Sequence, residues 1–273
     1  MKSETLNINN KGDVTYITFP KLEATGVVRH IFSTKLGGVS PYPYGPMNMS
    51  FNLDERKNVI KNYELLCNCV GIDTSHLVLS KQTHTNNVMV VDKTHCGTGY
   101  NKESFEDIDG LITNQSGVAL VTQYADCTPL IFCDPVKKVI ATSHSGWRGT
   151  VKEIGKVTVE KMKQQFGCDP ADIIACIGPC ISKCCYEVDT PVYEEFKKLK
   201  YLKLDEIFTD KGGGKYWLDM IEANKQILLN AGIREANMDI SDLCTNCNSD
   251  TLHSHRATKG RRGTIGVIIE LIG

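Results

Sequence analysis

No stretch of this sequence stays apolar for the ~20 residues that a membrane-crossing helix requires. Charge of one sign is not in excess either: 31 Lys and Arg stand against 32 Asp and Glu, a formal net charge of -1. Without a basic field there is little to hold a nucleic-acid backbone. The opening residues, Met1-Lys2-Ser3-Glu4-Thr5-Leu6-Asn7, lack the apolar core of a secretory signal. Internal repeats, low-complexity tracts and linker-like segments are missing as well. These absences predict a cytoplasmic protein whose partners are neither nucleic acid nor membrane. They predict a single domain over residues 1–273, present as a monomer or small homo-oligomer.

What is present begins with cysteine. The chain has 12, yet at 273 residues with 41% hydrophobic content it can bury a core without covalent staples. Reduced thiols are therefore expected in place of a disulfide scaffold. Cys244-Thr245-Asn246-Cys247 has the spacing of half a zinc knuckle or of a redox pair. No second Cys-x-x-Cys accompanies it, and its flanks do not read as a strand feeding a helix, so it is read as a pair of structural thiols.

Apolar periodicity predicts strands at 14–19 and 27–32, then a Gly-Pro-Asn stretch from Gly37 to Asn52 without regular structure. Loops this long inside a compact domain are usually functional. Asp54 is expected to cap a helix bearing Val59, Ile60, Tyr63 and Leu66 on one face, with Gly71 ending it. Six short strands follow between Leu77 and Thr142, too many before the next helix for strict βαβ alternation. One strong helix is predicted from about Thr150 to Phe166, closed by Gly167. Further on, a strand at 173–177, helices opened by Pro191 and Asp219, and a terminal strand at 264–272 complete an α/β pattern of mixed sheets with helices.

Two histidines and a cysteine carry the chemistry. His84 sits in Lys81-Gln82-Thr83-His84, Cys127 in Asp126-Cys127-Thr128-Pro129, and His144 in Ser143-His144-Ser145-Gly146-Trp147-Arg148-Gly149. Each is read as lying in a loop-like peptide next to an extended apolar run. Any one alone reads more readily as a structural residue, since Cys and His are often buried. Together they offer a divalent metal two imidazoles and a thiolate and leave a fourth position open, the ligand count of a catalytic zinc site.

Acid–base partners for such a site would be Asp109, before Gly110, and Asp126, beside the cysteine, although an acid before a glycine also suits a simple turn. Arg148 presents a planar fork for phosphate or carboxylate at the expected helix start, where free N–H groups favour an anion. Lys35 adds a second cation from the long early loop. Asn48 in that loop, Gln82 beside His84, and Cys180 in Gly178-Pro179-Cys180 complete the residues expected to meet substrate. The run His253-Ser254-His255-Arg256 with Lys259-Gly260-Arg261-Arg262 reads first as a solvated face and second as the lining of a polar pocket. His253 and His255, two apart, could also share a strand face at the metal.

These peptides resemble the laccase-domain proteins, a family described both as multicopper polyphenol oxidases and as purine nucleoside phosphorylases. The resemblance covers nearly the whole chain. Its strongest matches are Lys81-Gln82-Thr83-His84, Ala125 to Pro129, Ser143 to Thr150, and Ile177-Gly178-Pro179-Cys180-Ile181 with Tyr186-Glu187-Val188. It implies zinc on His84, Cys127 and His144. It also implies phosphorolysis of adenosine, inosine, guanosine and methylthioadenosine, together with hydrolytic deamination of adenosine. The implied fold is a single α/β domain of layered mixed β-sheets flanked by helices, likened to the cytotoxic necrotizing factor catalytic domain. The chain departs from the family at Lys35, where an arginine is common, at Asn62-Tyr63, and at Leu252-His253-Ser254-His255-Arg256, where an aromatic-rich peptide ending in two arginines is usual.

Three functions from different classes follow. The first is a zinc-dependent nucleoside phosphorylase and deaminase acting on purine nucleosides and phosphate. The second is a copper polyphenol oxidase; a true multicopper site needs many histidines, and this chain has seven. The third is a cysteine hydrolase with Cys127 as nucleophile and His144 as base.

Overall fold

A computed structural model describes residues 1–273. The chain begins with strands β1 (Asn7–Lys11) and β2 (Val14–Thr18), helix α1 (Pro20–Thr25), strand β3 (Val28–Ser33) and helix α2 (Arg56–Val70). Six strands follow: β4 (Leu77–Val78), β5 (Val88–Val90), β6 (Gly110–Thr113), β7 (Ala119–Tyr124), β8 (Thr128–Asp134) and β9 (Val139–Ser145). Helices α3 (Trp147–Val151) and α4 (Ile154–Phe166) lead to β10 (Ile174–Ile177), β11 (Glu187–Asp189), α5 (Thr190–Lys197) and α6 (Leu204–Ile207). The remainder is β12 (Phe208–Gly212), β13 (Lys215–Leu218), α7 (Met220–Asn230), β14 (Met238–Ile240), α8 (His255–Thr258) and β15 (Ile265–Leu271).

Two six-stranded sheets, ordered β1-β2-β3-β15-β7-β4 and β14-β10-β8-β9-β6-β5, lie face to face. Both are mixed: β4 runs parallel to β7, and β10 to β14, while most other neighbours are antiparallel. Between the sheets, Phe32, Leu120 and Val267 of the first meet Ile131, Ile140 and Cys176 of the second. The outer face of the second sheet buries Leu130, Phe132 and Ala175 against Val159 and Met162 of α4 and Leu228 of α7. The outer face of the first packs Ile31, Val121 and Ile268 against Val59, Tyr63 and Leu66 of α2. Strands covered on both sides have no solvent face to mark with polar residues, so β8, β9 and β15 are buried at every position. The layering of mixed sheets with flanking helices agrees with the sequence expectation. A small sheet, β11-β13-β12, stands apart with α5 and α6 over its own cluster of Phe196, Phe208 and Leu218. No helix is long and apolar enough to cross a membrane.

The details depart from the sequence reading where backbone chemistry overrides periodicity. The predicted helix at 150–166 is two: Glu153 takes φ 57°, a left-handed conformation that stops α3 and lets α4 start on a new axis. Apolar spacing continues through this break and so does not reveal it. The α2 helix begins one residue later than expected, with Glu55 at the cap position, while Asp54 bonds to the Glu55 N–H and the Asn58 amide. Strand β1, Asn-Ile-Asn-Asn-Lys, is polar and mostly exposed, and its backbone is a strand through antiparallel pairing to β2 across a turn where Gly12 has φ 59°.

Candidate functional site

His144 is not in a loop: it lies in β9, one residue before its end, with Pro129 of β8 as register partner. The pairing of β8 with β9 carries Cys127, just before β8, to the same sheet end. His84 enters from the segment after β4 with φ 66°, and Asp126, before the cysteine, has φ 82°. Non-glycine residues held in the left-handed region are strained, and such strain collects at functional sites. The ligand atoms of His84, Cys127 and His144 lie within 4.8 Å of one another. Cys127 Sγ is 3.7 Å from His84 Nε2, and the two imidazole rings meet edge-on with centroids 4.8 Å apart. Metal–ligand lengths of ~2.0 and ~2.3 Å imply nitrogen–sulfur edges of about 3.5 Å around a tetrahedral ion. The donor set and spacing fit one metal ion, and a three-residue set keeps a coordination position for substrate or water.

Asp109 organises this group. Its Oδ1 accepts from the His84 N–H at 3.0 Å and lies 2.8 Å from His144 Nδ1. Its Oδ2 accepts the backbone N–H groups of Thr83 and Thr85 and the Thr85 hydroxyl. With Nδ1 held, His144 offers Nε2 to the thiol side. This is the carboxylate–histidine arrangement that orients metal ligands. Burial alone would raise the Asp109 carboxyl, but the bonds from His144 and Thr85 outweigh it and hold it at about 2. Burial likewise pushes up the Cys127 thiol, yet attraction and hydrogen bonds from His144 and His84 bring it down to about 6. His144 moves the other way, to about 9, because the Cys127 and Asp109 charges overcome its desolvation. The site thus favours the thiolate, the form that ligates metal.

Gly146 makes the closeness possible. A Cβ there would lie 2.7 Å from His84 Cδ2 and 3.1 Å from Cys127 Sγ. The glycine is at the N-cap of α3 with ordinary φ, so the requirement is for space and not for backbone freedom.

The trio lies at the wall of a cleft of about 780 Å³ that Arg148, Arg256, Arg262, Trp147 and Tyr186 also line. Arg148 is exposed and stacks its guanidinium over the Trp147 ring at 4.3 Å, and its side chain makes no hydrogen bond or ion pair with the protein. Its five donors remain available to a ligand. The helix it belongs to has only five residues, so the expected macrodipole contribution is slight and the guanidinium itself is the anion-binding element. The C-terminal cationic run, read first as a solvated face, sends Arg256, Arg262 and His255 into the cleft. The Nε of Arg262 is buried without a partner.

Several expected site residues have other places. Asp109 is fully buried with both oxygens engaged, so it orients ligands and is not free to exchange protons with substrate. Asp126 lines the cleft, but its carboxylate is occupied by the Thr245 hydroxyl and the Arg256 N–H, each at 2.6 Å. Gln82 lines the cleft while clamping Gln123 through two backbone bonds. Lys35 lies outside the cleft lining and donates to the Ser249 carbonyl. Asn48 is buried and braces Ser50 and Thr264, two residues that do line the cleft. Cys180 is fully buried behind it. His253 is not in the metal group: it is buried, with Nε2 bonded to the Met47 carbonyl.

Comparison with known proteins accords with this geometry. The family of multi-copper polyphenol oxidoreductase laccases is matched over residues 29–272. The purine nucleoside phosphorylase YlmD of Bacillus subtilis is 36% identical over 235 residues, covering 85% of this chain and 84% of its own length. The adenosine deaminase RL5, from an unknown prokaryotic organism, is 33% identical over 229 residues, covering 82% of this chain and 87% of its own. The crystal structure of the hypothetical protein YfiH of Bacillus licheniformis has a TM-score of 0.92 and 30% identity, over 97% of this chain and 99% of that one. With a fold and a match that both span nearly its full length, the chain belongs to the multi-copper polyphenol oxidoreductase laccase family, whose relatives bear the names purine nucleoside phosphorylase and adenosine deaminase.

Proposed function

We propose that the chain is, as one cytoplasmic domain, a zinc-dependent purine nucleoside phosphorylase. Its substrates are adenosine, inosine, guanosine and S-methyl-5'-thioadenosine with phosphate, and it also deaminates adenosine hydrolytically. The observation that carries this reading is the placement of a two-histidine, one-cysteine group and an uncommitted arginine, Arg148, on the same cleft. Phosphorolysis replaces the bond between ribose C1' and the base nitrogen with a bond to a phosphate oxygen, so it needs a phosphate site beside the reacting carbon. Arg148, with Arg262 close to the same wall, supplies the forked donors for that anion. Trp147 and Tyr186 offer flat faces on which a purine can lie. Zinc held by His84, Cys127 and His144 would supply Lewis-acid polarisation of a substrate oxygen or water.

Copper oxidase chemistry has less support. Of seven histidines only His84 and His144 join a metal-type group, too few for several coppers. A cysteine hydrolase is favoured by one observation, the lowered Cys127 thiol beside His144. Protein purified without added metal separates these readings. Stoichiometric zinc, with phosphate-dependent release of hypoxanthine from inosine, supports the phosphorylase. Metal-free protein with hydrolytic turnover blocked by thiol alkylation would replace it with the hydrolase.

A further inference from the structure

A second group of ligands stands outside the cleft chemistry. Cys184 and Cys185 follow β10, Cys244 and Cys247 follow β14, and an isolated bridge between Cys180 and Cys244 sets the two segments side by side. The four sulfurs lie within 4.8 Å of one another. Cys184 Sγ is 3.6 Å from both Cys185 Sγ and Cys247 Sγ, and Cys185 Sγ is 3.4 Å from Cys247 Sγ. Around a single tetrahedral ion with metal–sulfur bonds of ~2.3 Å, each sulfur–sulfur edge is about 3.8 Å. A disulfide brings two sulfurs to ~2.05 Å and leaves the others out. An iron–sulfur cluster places several metal atoms among its thiolates and spreads them beyond this compact quartet. Polar hydrogens also point at the sulfurs: the Ser182 N–H at Cys244 Sγ, 3.4 Å, and the Asn246 amide at Cys185 Sγ, 3.1 Å.

We propose that Cys184, Cys185, Cys244 and Cys247 form a closed four-thiolate site for one zinc-type divalent cation, distinct from His84, Cys127 and His144. Four thiols bind one ion and release four protons, and no electron is transferred. Filling all four positions with protein sulfur leaves none for substrate, so the site is structural. It fastens two segments that form the cleft wall. From the first, the Ile181 N–H bonds to the Asp126 carbonyl at 2.9 Å, and Tyr186 faces the cleft. From the second, Thr245 and Arg256 hold the Asp126 carboxylate. Arg256 returns to the first segment at the Cys185 carbonyl, 3.4 Å. The ion thereby fixes the turn that presents Cys127.

The test is metal counting on the reduced full-length protein. Wild type is expected to hold about two zinc per chain, and Cys127→Ser and Cys184→Ser/Cys247→Ser about one each. Cobalt loaded into Cys127→Ser should show the intense thiolate-to-metal charge-transfer bands of a four-sulfur site. That spectrum decides the matter even if the double variant does not fold. A Cys127→Ser protein that binds no metal, a cobalt spectrum without four-thiolate intensity, or a native disulfide within the quartet in anaerobically purified protein would overturn the proposal. Failure of the phosphorylase reading would appear as inactivity toward nucleosides and would leave these counts unchanged.

Discussion

Asp109 Oδ1 lies 2.8 Å from His144 Nδ1, inside a wall where Asp109 has no exposed surface. The carboxylate fixes the imidazole's tautomer and, through three backbone N–H groups, the path of Thr83 to Thr85. Asp109→Asn keeps the shape but must turn an amide donor toward one of these donors. Metal affinity is expected to fall roughly 10- to 100-fold, as for other outer partners of metal ligands. Competition against a chromophoric chelator measures it, and unchanged affinity would show that His144 needs no orienting group.

Cys127→Ser is expected to remove the cleft metal and turnover together while the protein stays folded. The proposed ligands sit at the end of sheets whose buried core clusters are built from other residues, with Cys127 only packed against the edge of one. Far-ultraviolet circular dichroism, with metal content, checks this. Full turnover with undiminished metal would dismiss Cys127 as a ligand.

Gly146→Ala tests closeness alone. The new methyl group meets His84 and Cys127 at distances that force one of them to move. Since neither is a flexible chain end, the expected result is at least a tenfold loss of metal affinity, because ligand distances must hold to about 0.2 Å. The thermal midpoint should change by only a few degrees, as expected for a local effect of about 1 kcal/mol.

Arg148→Lys keeps the charge and loses the fork. The apparent phosphate KM in phosphorolysis should rise, on the order of tenfold, while adenosine deamination, which uses no phosphate, falls less. Equal losses would assign Arg148 to nucleoside placement, and an unchanged phosphate dependence would remove it from the anion site.

Acid should weaken the fold through His30 and His253. Burial lowers both to about 4 from an ordinary 6.5; His30 Nε2 accepts the Phe19 N–H, and His253 bonds to Met47. Below 6.5 the unfolded chain takes up protons that the folded chain refuses until about 4, so stability is full above 6.5 and declines as pH falls through this window. At pH 5 each histidine should cost about 2 kcal/mol relative to pH 7. Urea midpoints of wild type and His30→Gln at the two pH values give the difference, which should shrink in the variant.

The convergence of His84, Cys127 and His144 was legible because its evidence is chemical: few side-chain types bind divalent metals, and three of them sat beside apolar runs. The layered sheets were legible through short apolar runs such as Leu130–Cys133 and Val267–Ile269, which read as strands covered on both faces. Strand β1 was not, since its Asn-rich sequence has no intrinsic preference for a strand and is one only by pairing. The break at Glu153 was hidden because one left-handed residue leaves apolar spacing intact. Asp109 looked like a turn acid or a proton carrier, and only its contacts with His84 and His144, distant in sequence, reveal an orienting role. Cys244 and Cys247 seemed half a motif because their companions, Cys184 and Cys185, are adjacent to each other and lie some 60 residues away.

Strand β15 sits in the interior of the first sheet, between β3 and β7. During synthesis those two strands, made early, wait as unpaired apolar edges until residues 265–271 emerge. Edges of that kind invite pairing with other chains. Arg262 and Thr264, in the peptide that leads into β15, line the cleft. A nascent chain therefore cannot join β3 to β7 before β15 emerges, and a product cut short of β15 keeps both of those edges open.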